Sequence, residues 1–460
     1  MNNANNPKPG DDDNLISTIP KGVELIIKTI MKLLPIIFLS LLCTVASAQQ
    51  AITVDDAISI ALKNNYDILV SRNDADISKV NNTAGNAGML PTVAITGSGN
   101  YALNNTTQKL STGVENKYTS VSTTTLSAGA QLNWNLFDGG KMFVTKNKLN
   151  EIQALGEIQY KENVMQTLYA VIAAYYDVVK QKQQLNSINE ALNYNRDRVT
   201  IARAGINAGS MLRQDLLQAQ MDLNLTTESR INQQYAIEAG LKYLNRILGK
   251  TANEQWIIAD TIPLTYAPNK AELLNKLNSS NTSILSFQKQ IDVAQLVLKE
   301  SRASYLPTLS FKAGYYASQT DNSAGSVSRN SSLGPQVGAT LVVPIYSAGE
   351  NKRKENVAKI QAQSAEYDLQ NIKLQVNTQL LNTLTEFENQ QELLKIETEN
   401  NQLAKENIQI SLDRLKHGET TSLEVRRAQE DYVQSTTRLI NFRYALKLSE
   451  TKLKQMVSGL

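Results

Sequence analysis

Four stretches of this chain alternate strictly in polarity. In 92–103, Val93, Ile95, Gly97, Gly99, Tyr101 and Leu103 fall on one face, opposite Thr92, Ala94, Thr96, Ser98, Asn100 and Ala102. In 125–136, Leu126, Ala128, Ala130, Leu132, Trp134 and Leu136 oppose Thr125, Ser127, Gly129, Gln131, Asn133 and Asn135. The stretches 308–318 and 336–345 behave alike, with Leu309, Phe311, Ala313 and Tyr315 on the apolar face of the first and Val337, Ala339, Leu341 and Val343 on that of the second. A period of two predicts β-strands. Strands of about ten residues, apolar on one side and small or polar on the other, fit a membrane barrel with a wet interior. Half-buried strands of a soluble sandwich carry the same pattern. The Thr-, Ser- and Asn-rich segments 104–124 and 320–332 are expected as long surface loops.

After each pair of strands the period changes to about 3.5. Val164, Leu168, Val171, Tyr175, Val178, Leu185 and Leu192 form one seam. Leu380, Leu384, Phe387, Leu394, Ile408, Leu412 and Leu415 form another, interrupted by Gln391, Thr398, Asn401 and Lys405. Residues 350–417 contain neither Gly nor Pro, and 141–204 contain only Gly156. Two very long coiled-coil-like helices are predicted, each about 100 Å at 1.5 Å per residue. Both break near a glycine, at Gly205–Ser210 and at Gly418. They return as shorter helices over 211–248 and 420–457, so each reads as a helical hairpin.

The order of these features occurs twice. Asn65-Tyr66-Asp67-Ile68-Leu69 matches Asn281-Thr282-Ser283-Ile284-Leu285, and Leu90-Pro91-Thr92 matches Leu306-Pro307-Thr308. Farther on, Leu136–Gly140 matches Ile345–Gly349, Gly209 matches Gly418, and Gln218-Ala219-Gln220 matches Arg427-Ala428-Gln429. Each copy opens with a helix, carried by Ile58, Leu62, Ile68 and Leu69 in the first and by Leu273, Leu277, Leu285, Ile291 and Leu298 in the second. Each is expected to stop before its Leu-Pro pair. The pattern is an internal duplication, with repeats at 49–249 and 273–460 and a connection at 250–272.

The amino-terminal region changes the compartment. Met31-Lys32, an apolar run from Leu33 to Val45, and Ala46-Ser47-Ala48 before Gln49 make a secretory signal peptide. Residues 1–48 are therefore expected to comprise an upstream extension and a signal peptide starting at Met31. Bulky Leu41 and Leu42 before Cys43 argue against lipidation. No later run of about 20 apolar residues exists to form a spanning helix.

Composition removes chemistry. One Cys and one His exclude disulfide frameworks, Cys/His metal sites and most nucleophile–base pairs. No enzyme activity, cofactor or metal site is expected. A formal charge of +3, spread along the chain, does not imply nucleic acid.

Four strands cannot close a membrane barrel, and open edges are not tolerated in lipid. The strands must be pooled between chains. Two chains supply eight strands and three supply twelve. Eight fill their own interior with side chains, so a pore favours a trimer.

In order, these motifs resemble the TolC-like outer-membrane efflux family. The carrying residues are the helix near Val54–Leu69, both Leu-Pro-Thr turns, and the strand-to-helix turns at Leu136–Gly140 and Ile345–Gly349. The tip segments Gly209–Asp215 with Ala219 and Gly418–Glu424 with Ala428 complete the set. The resemblance spans nearly all of 51–458. It implies an α+β membrane protein of the outer membrane. Four membrane β-strands per chain would enter a 12-stranded trimeric barrel above a long periplasmic α-helical coiled-coil tunnel. It implies a homotrimer in contact with outer-membrane lipid, partnered by a periplasmic adaptor (membrane fusion) protein and an inner-membrane pump of RND, ABC or MFS type. The activity implied is small-molecule efflux or type I protein secretion.

By the same resemblance, Ala208, Gly209 and Ser210 at one tip, and His417, Gly418 and Glu419 at the other, would meet the adaptor. The second triplet departs from the family on both sides of its glycine. Asp215 and Glu424 stand six residues after each glycine, where family acids narrow the tunnel mouth. Three copies of each would form acidic rings. Arg427 replaces a further family acid and Thr420 a family arginine. The gate's bonding is therefore expected to differ, through Arg427 pairing with Glu424 or with Asp215 of a neighbouring helix. The plainer readings are helix-start acids for Asp215 and Glu424, turn glycines for Gly209 and Gly418, and an exposed tip residue for His417. Two alternative functions stand beside the channel. A passive porin needs no 100 Å helices, and a non-channel coiled-coil interaction protein needs no membrane strands.

Overall fold

A computed structural model describes residues 50–460. The expected start at Met31, the apolar run with Cys43 and the cleavage after Ala48 lie outside the described residues. Two compact units are distinguished. The described part of the first is a short ladder, Gln50–Ala51 with Gln255–Ile257, from strands β1 (Gln50–Ile52) and β4 (Trp256–Ile258). The second, Ile52–Glu254 with Ile258–Leu460, holds all the long elements.

The elements of this second unit run in the same order twice. The first set is α1 (Val54–Asn64), α2 (Tyr66–Asn81), β2 (Thr92–Lys109), β3 (Glu115–Asp138), α3 (Lys141–Asn207) and α4 (Arg213–Ile247). The second set is α5 (Lys270–Ser280), α6 (Thr282–Ala303), β5 (Thr308–Asn322), β6 (Arg329–Val342), α7 (Glu350–Lys416) and α8 (Ser422–Met456).

The single opening helix expected in each half is two. α1 starts on a capping box, in which Thr53 Oγ1 accepts the Asp56 amide at 3.1 Å and Asp56 Oδ2 accepts the Thr53 amide at 3.0 Å. It stops at Asn65, whose Oδ1 accepts from Ile68 N at 3.0 Å and so caps α2 instead. The Asn65 side-chain amide donates to Ile247 O at 2.7 Å, closing the end of α4. Asn281 does the same in the second half, accepting from Ile284 N at 3.1 Å and donating to Met456 O at 2.8 Å. Each buried asparagine thus satisfies the start of one helix and the end of another.

The four long strands form one antiparallel sheet in the order β2-β3-β5-β6, with both edges open. The expected loops at 104–124 and 320–332 are mostly strand. β2 and β3 stay paired as far as Lys109 with Glu115, and β5 and β6 as far as Asp321 with Arg329. Threonine-rich segments suit strands when a partner of equal length runs beside them. β6 stops at Val342, earlier than expected, because Pro344 has no amide to donate.

The ladder keeps the two faces apart. One face carries Val93, Leu132, Ala313 and Val337 in one row and Ile95, Ala130, Tyr315 and Pro335 in the next. The opposite face carries Ser98, Ser127, Ser318 and Ser332 in a single row, hydrogen-bonded in pairs at 2.7 and 2.8 Å. The apolar face is open to its surroundings, with Ile95 85% and Val337 77% exposed. Tyr316 lies over Gly129 and Gly314 on the serine side, where a Cβ at either glycine would sit within 2.6 Å of its ring.

The 67-residue helices α3 and α7 each extend about 100 Å. α3 packs against α4 and α8, and α7 against α8, giving the lateral order α4-α3-α8-α7. The expected seams are buried at Leu168, Val171, Tyr175, Val178 and Leu192, and at Leu380, Leu384, Phe387, Ile408, Leu412 and Leu415. Gly156 lets α2 approach α3, since a Cβ there would meet Ser78 Oγ at 3.0 Å. No described helix is long and apolar enough to cross a membrane, which says nothing of a β-barrel.

Candidate functional site

Both helical hairpins turn by the same device. At the first tip Ala208 is the C-cap of α3 and Gly209 follows at φ +73°. Gly209 N donates to Ile206 O at 3.0 Å and Ser210 N to Gly205 O at 2.8 Å. At the second, His417 caps α7 and Gly418 follows at φ +74°. Gly418 N donates to Leu415 O at 3.1 Å and Glu419 N to Arg414 O at 2.9 Å. Each is a Schellman turn, which closes the last carbonyls of the helix and demands a left-handed residue. A Cβ on either glycine would meet nothing within 4 Å, so conformation and not space selects glycine here.

The side chains at the tips differ. Gly205 is needed where it stands, because a Cβ would lie 2.7 Å from Met211 Cγ. Met211 packs onto a cluster of the other half, Ile408, Leu412, Leu415, Val425, Ala428 and Tyr432. The second tip is polar. His417 Nδ1 lies 2.8 Å from Asp413 O, and Arg414 Nη2 donates to Glu419 O at 3.1 Å. His417, Gly418 and Glu419 are all exposed, as are Gly209 and Ser210.

Asp215 and Glu424 occupy corresponding places, the third residue of each return helix. Asp215 Oδ2 accepts the Leu212 amide at 3.2 Å. Glu424 accepts from the Thr420 hydroxyl, and its amide donates to Thr421 Oγ1 at 3.3 Å. Arg427 is exposed and forms no ion pair among the described residues; within one chain it meets neither Glu424 nor Asp215. Its neighbour Arg426 carries the contacts, at 3.1 Å from Glu430 and 3.6 Å from Asp222.

That second contact belongs to a buried centre not singled out in the sequence. Arg198 on α3 is 2% exposed, and its Nη1 donates to Asp222 Oδ2 on α4 at 3.0 Å and to Asn195 Oδ1 at 3.1 Å. Gln429 of α8 stands 3.5 Å from the same nitrogen. Arg198 Nε and Nη2 are buried without a hydrogen-bond partner within the chain. Three helices thus meet around one ion pair. The readable signal was the α3 seam itself, which runs on from Leu192 through Asn195 and Arg198 to Ala202. Nearby, Tyr432 of α8 donates to Glu190 Oε2 of α3 at 2.7 Å. Burial, and then Glu190, push its phenol well above the ordinary value.

The second hairpin has its own lock, higher up. Glu397 of α7, buried, accepts from Arg438 of α8 at 3.0 and 3.2 Å and from Ser435 at 2.7 Å. Burial raises its carboxyl, and the hydrogen bonds from Arg438 and Ser435 outweigh that and leave it lowered. Among the described residues no group of His, Cys, Asp and Glu is arranged to hold a metal.

Long helical hairpins continuous with lipid-compatible β-hairpins are the mark of outer-membrane channel proteins. A family model described as outer membrane efflux protein matches residues 57–250 and again 273–459. The chain belongs to this outer-membrane family, whose members are channels rather than enzymes. It is 24% identical to the outer membrane efflux protein BepC of Brucella suis over 85% of this chain and 82% of that one. It is 20% identical to the proteases secretion protein PrtF of Dickeya chrysanthemi over 86% of each. In structure it is similar to the CmeC outer membrane channel of Campylobacter jejuni, with a TM-score of 0.74 at 17% identity over 88% of this chain and 85% of that one. The open state of the Neisseria gonorrhoeae MtrE channel aligns with a TM-score of 0.66 at 15% identity, over 88% and 89%.

Proposed function

We propose that three copies of this chain close a twelve-stranded barrel above a tunnel of helices, forming the outer-membrane duct of an efflux or type I secretion assembly. The carrying observation is the sheet. It has four strands, two open edges, an exposed apolar face and a polar reverse. Edges left open in lipid cost several kcal/mol for each unsatisfied group. Pairing β6 of one copy with β2 of the next removes them all. The helices invite the same closure, since α4 and α7 are the free sides of their layer. The twofold element order, with Asn65 and Asn281 making matching bonds, supports an internal duplication and a pseudo-sixfold assembly.

The tips are then the end that meets a periplasmic adaptor, through Ala208, Gly209 and Ser210 and through His417, Gly418 and Glu419. An inner-membrane pump of RND, ABC or MFS type would supply the energy. Asp215 and Glu424 would ring the mouth, with Arg427 free to pair across to a neighbouring copy. The 67-residue helices favour this reading over a passive porin, which has no use for them.

The test is oligomer mass with planar-bilayer conductance of the purified protein. A trimer that conducts is expected. A monomeric, non-conducting species would sink the proposal. For the mouth, Asp215→Ala with Glu424→Ala should weaken block by multivalent cations; unchanged block would remove both acids from it.

A further inference from the structure

The trimeric barrel proposed above leaves open what its wall selects, and the sheet carries one residue that bears on it. We propose that Lys312 is the charge-selecting residue of the barrel, three copies forming a single basic ring that favours anions over multivalent cations.

The ladder fixes which face Lys312 occupies. It pairs with Asn133 on β3 and Gly338 on β6, and Asn133 pairs with Thr92 on β2. Along β5 it shares a face with Ser310, Gly314, Tyr316 and Ser318, the side of the serine row. On the reverse, Phe311 and Ala313 flank it and belong to the apolar face. Lys312 therefore lies at the depth of the apolar band. On the lipid side at such a depth a lysine costs roughly 2–4 kcal/mol, falling toward zero near the interface. Its position among hydroxyls and glycines puts it in water instead, and so marks this face as the lumen.

Nothing near it cancels the charge. The rows between Thr92 and Ala102 on this face hold Asn, Gln, Thr, Ser, Ala, Gly and one Tyr, and no carboxylate. The nearest acid in the same ladder is Asp138, opposite Thr308. That is four residues down β5, or about 13 Å at 3.3 Å per residue. The Asp138 carboxylate is already engaged, accepting the Met142 amide at 3.0 Å. Lys312 is exposed and makes no ion pair among the described residues. Gly338 beside it adds no side chain, and Tyr316 is held against the wall by its hydroxyl bond to Gln131 Oε1 at 3.1 Å. The ammonium is thus free to extend into the lumen.

Three like charges on one circumference of a low-dielectric wall raise the local concentration of anions. The sign is opposite to that of Asp215 and Glu424 at the far end. The path would then carry two charge selectors in series, basic in the barrel and acidic at the tips.

The experiment is sided block of single channels in planar bilayers. Pyrophosphate, or hexamminecobalt(III), is added to the chamber facing the β-hairpins. Pyrophosphate should block the unaltered channel. Lys312→Gln should raise its half-blocking concentration about tenfold or more. Lys312→Glu should abolish that block and introduce block by hexamminecobalt(III) from the same side. Conducting channels whose block by both ions is unchanged in the two variants would overturn the ring and leave the trimeric channel standing. An unaltered protein that never conducts would overturn the channel and the ring with it.

Discussion

The two halves of this molecule share a backbone and differ in what holds it. Both tips are Schellman turns on a glycine near φ +74°, and both opening helices hinge on an asparagine that spans to the returning helix. The internal ties are unlike. The first hairpin is locked close to its tip by Arg198 with Asp222, at 2% and 9% side-chain exposure, and the lock reaches α8. The second is locked higher by Glu397 with Arg438, whose side chain is half in solvent. The strand-to-helix turns differ too. Gly139, at φ +75°, is wedged so that a Cβ would lie 2.5 Å from Ala303 O, whereas its counterpart Ala348 carries a Cβ at φ 51°. Backbone geometry is alike in both halves, while burial and bonding differ.

The largest expected difference is between the locks. Asp222→Ala leaves the Arg198 charge buried and should cost about 3–5 kcal/mol. Arg438→Ala exposes Glu397 to water on one side and should cost about 1 kcal/mol. Denaturant midpoints in detergent check this, and equal losses would erase the distinction. Arg198→Met with Asp222→Leu should return close to the unaltered midpoint, because both buried charges go together.

The turns come next. Gly139→Ala adds a clash to a strained φ and should cost about 2–3 kcal/mol. Gly349→Ala, where nothing lies within 4 Å, should cost only about 1 kcal/mol. Thermal midpoints of the two variants should therefore be clearly separated.

At the tips the difference between the halves should vanish. Gly209→Ala and Gly418→Ala are both conformational penalties of about 1 kcal/mol, with the surrounding packing undisturbed. Equal shifts in thermal midpoint would support this. Unequal cross-linking of the two variants to an adaptor would then report partner contact rather than folding.

The smallest effect is the pH response of the second lock. The folded Glu397 carboxyl lies below its ordinary 4.5. Its stabilisation is therefore complete above about that pH and is lost as pH falls through the lowered value. Glu397→Gln should flatten the acid limb of a stability–pH curve, and an unaltered limb would exclude it as a contributor.

Much of the fold was legible because its signals are local. Periods of two and about 3.5, a glycine at each tip and a proline at each sheet entrance announce strands, seams and turns without any partner. What failed to show needed a partner. Residues 104–109 and 115–121 look like loop until each is laid beside the other. The breaks at Asn65 and Asn281 depend on carbonyls of Ile247 and Met456, far away in sequence. Within the chain the ion pairing falls one position away from Arg427, since Arg426 is the residue turned toward Asp222. Arg198 was hidden by its type, because a charged residue on a seam reads as an interruption until its carboxylate is placed.

The unequal hairpins of the sheet carry a last consequence. β3 begins at Glu115, yet meets β5 only from Thr123 onward, so the first hairpin stands beyond the second. The ribbon leaves the sheet at a bulge around Asn105, whose Oδ1 accepts the amide of Ser120 at 2.8 Å, with Ser120 at φ 54°. On the outside of a cell a threefold assembly of this kind would present a crenellated rim, three tall merlons of Thr and Asn separated by low gaps. An antibody raised against intact cells would then meet the first hairpin, over 106–119, before the shorter turn at 323–328.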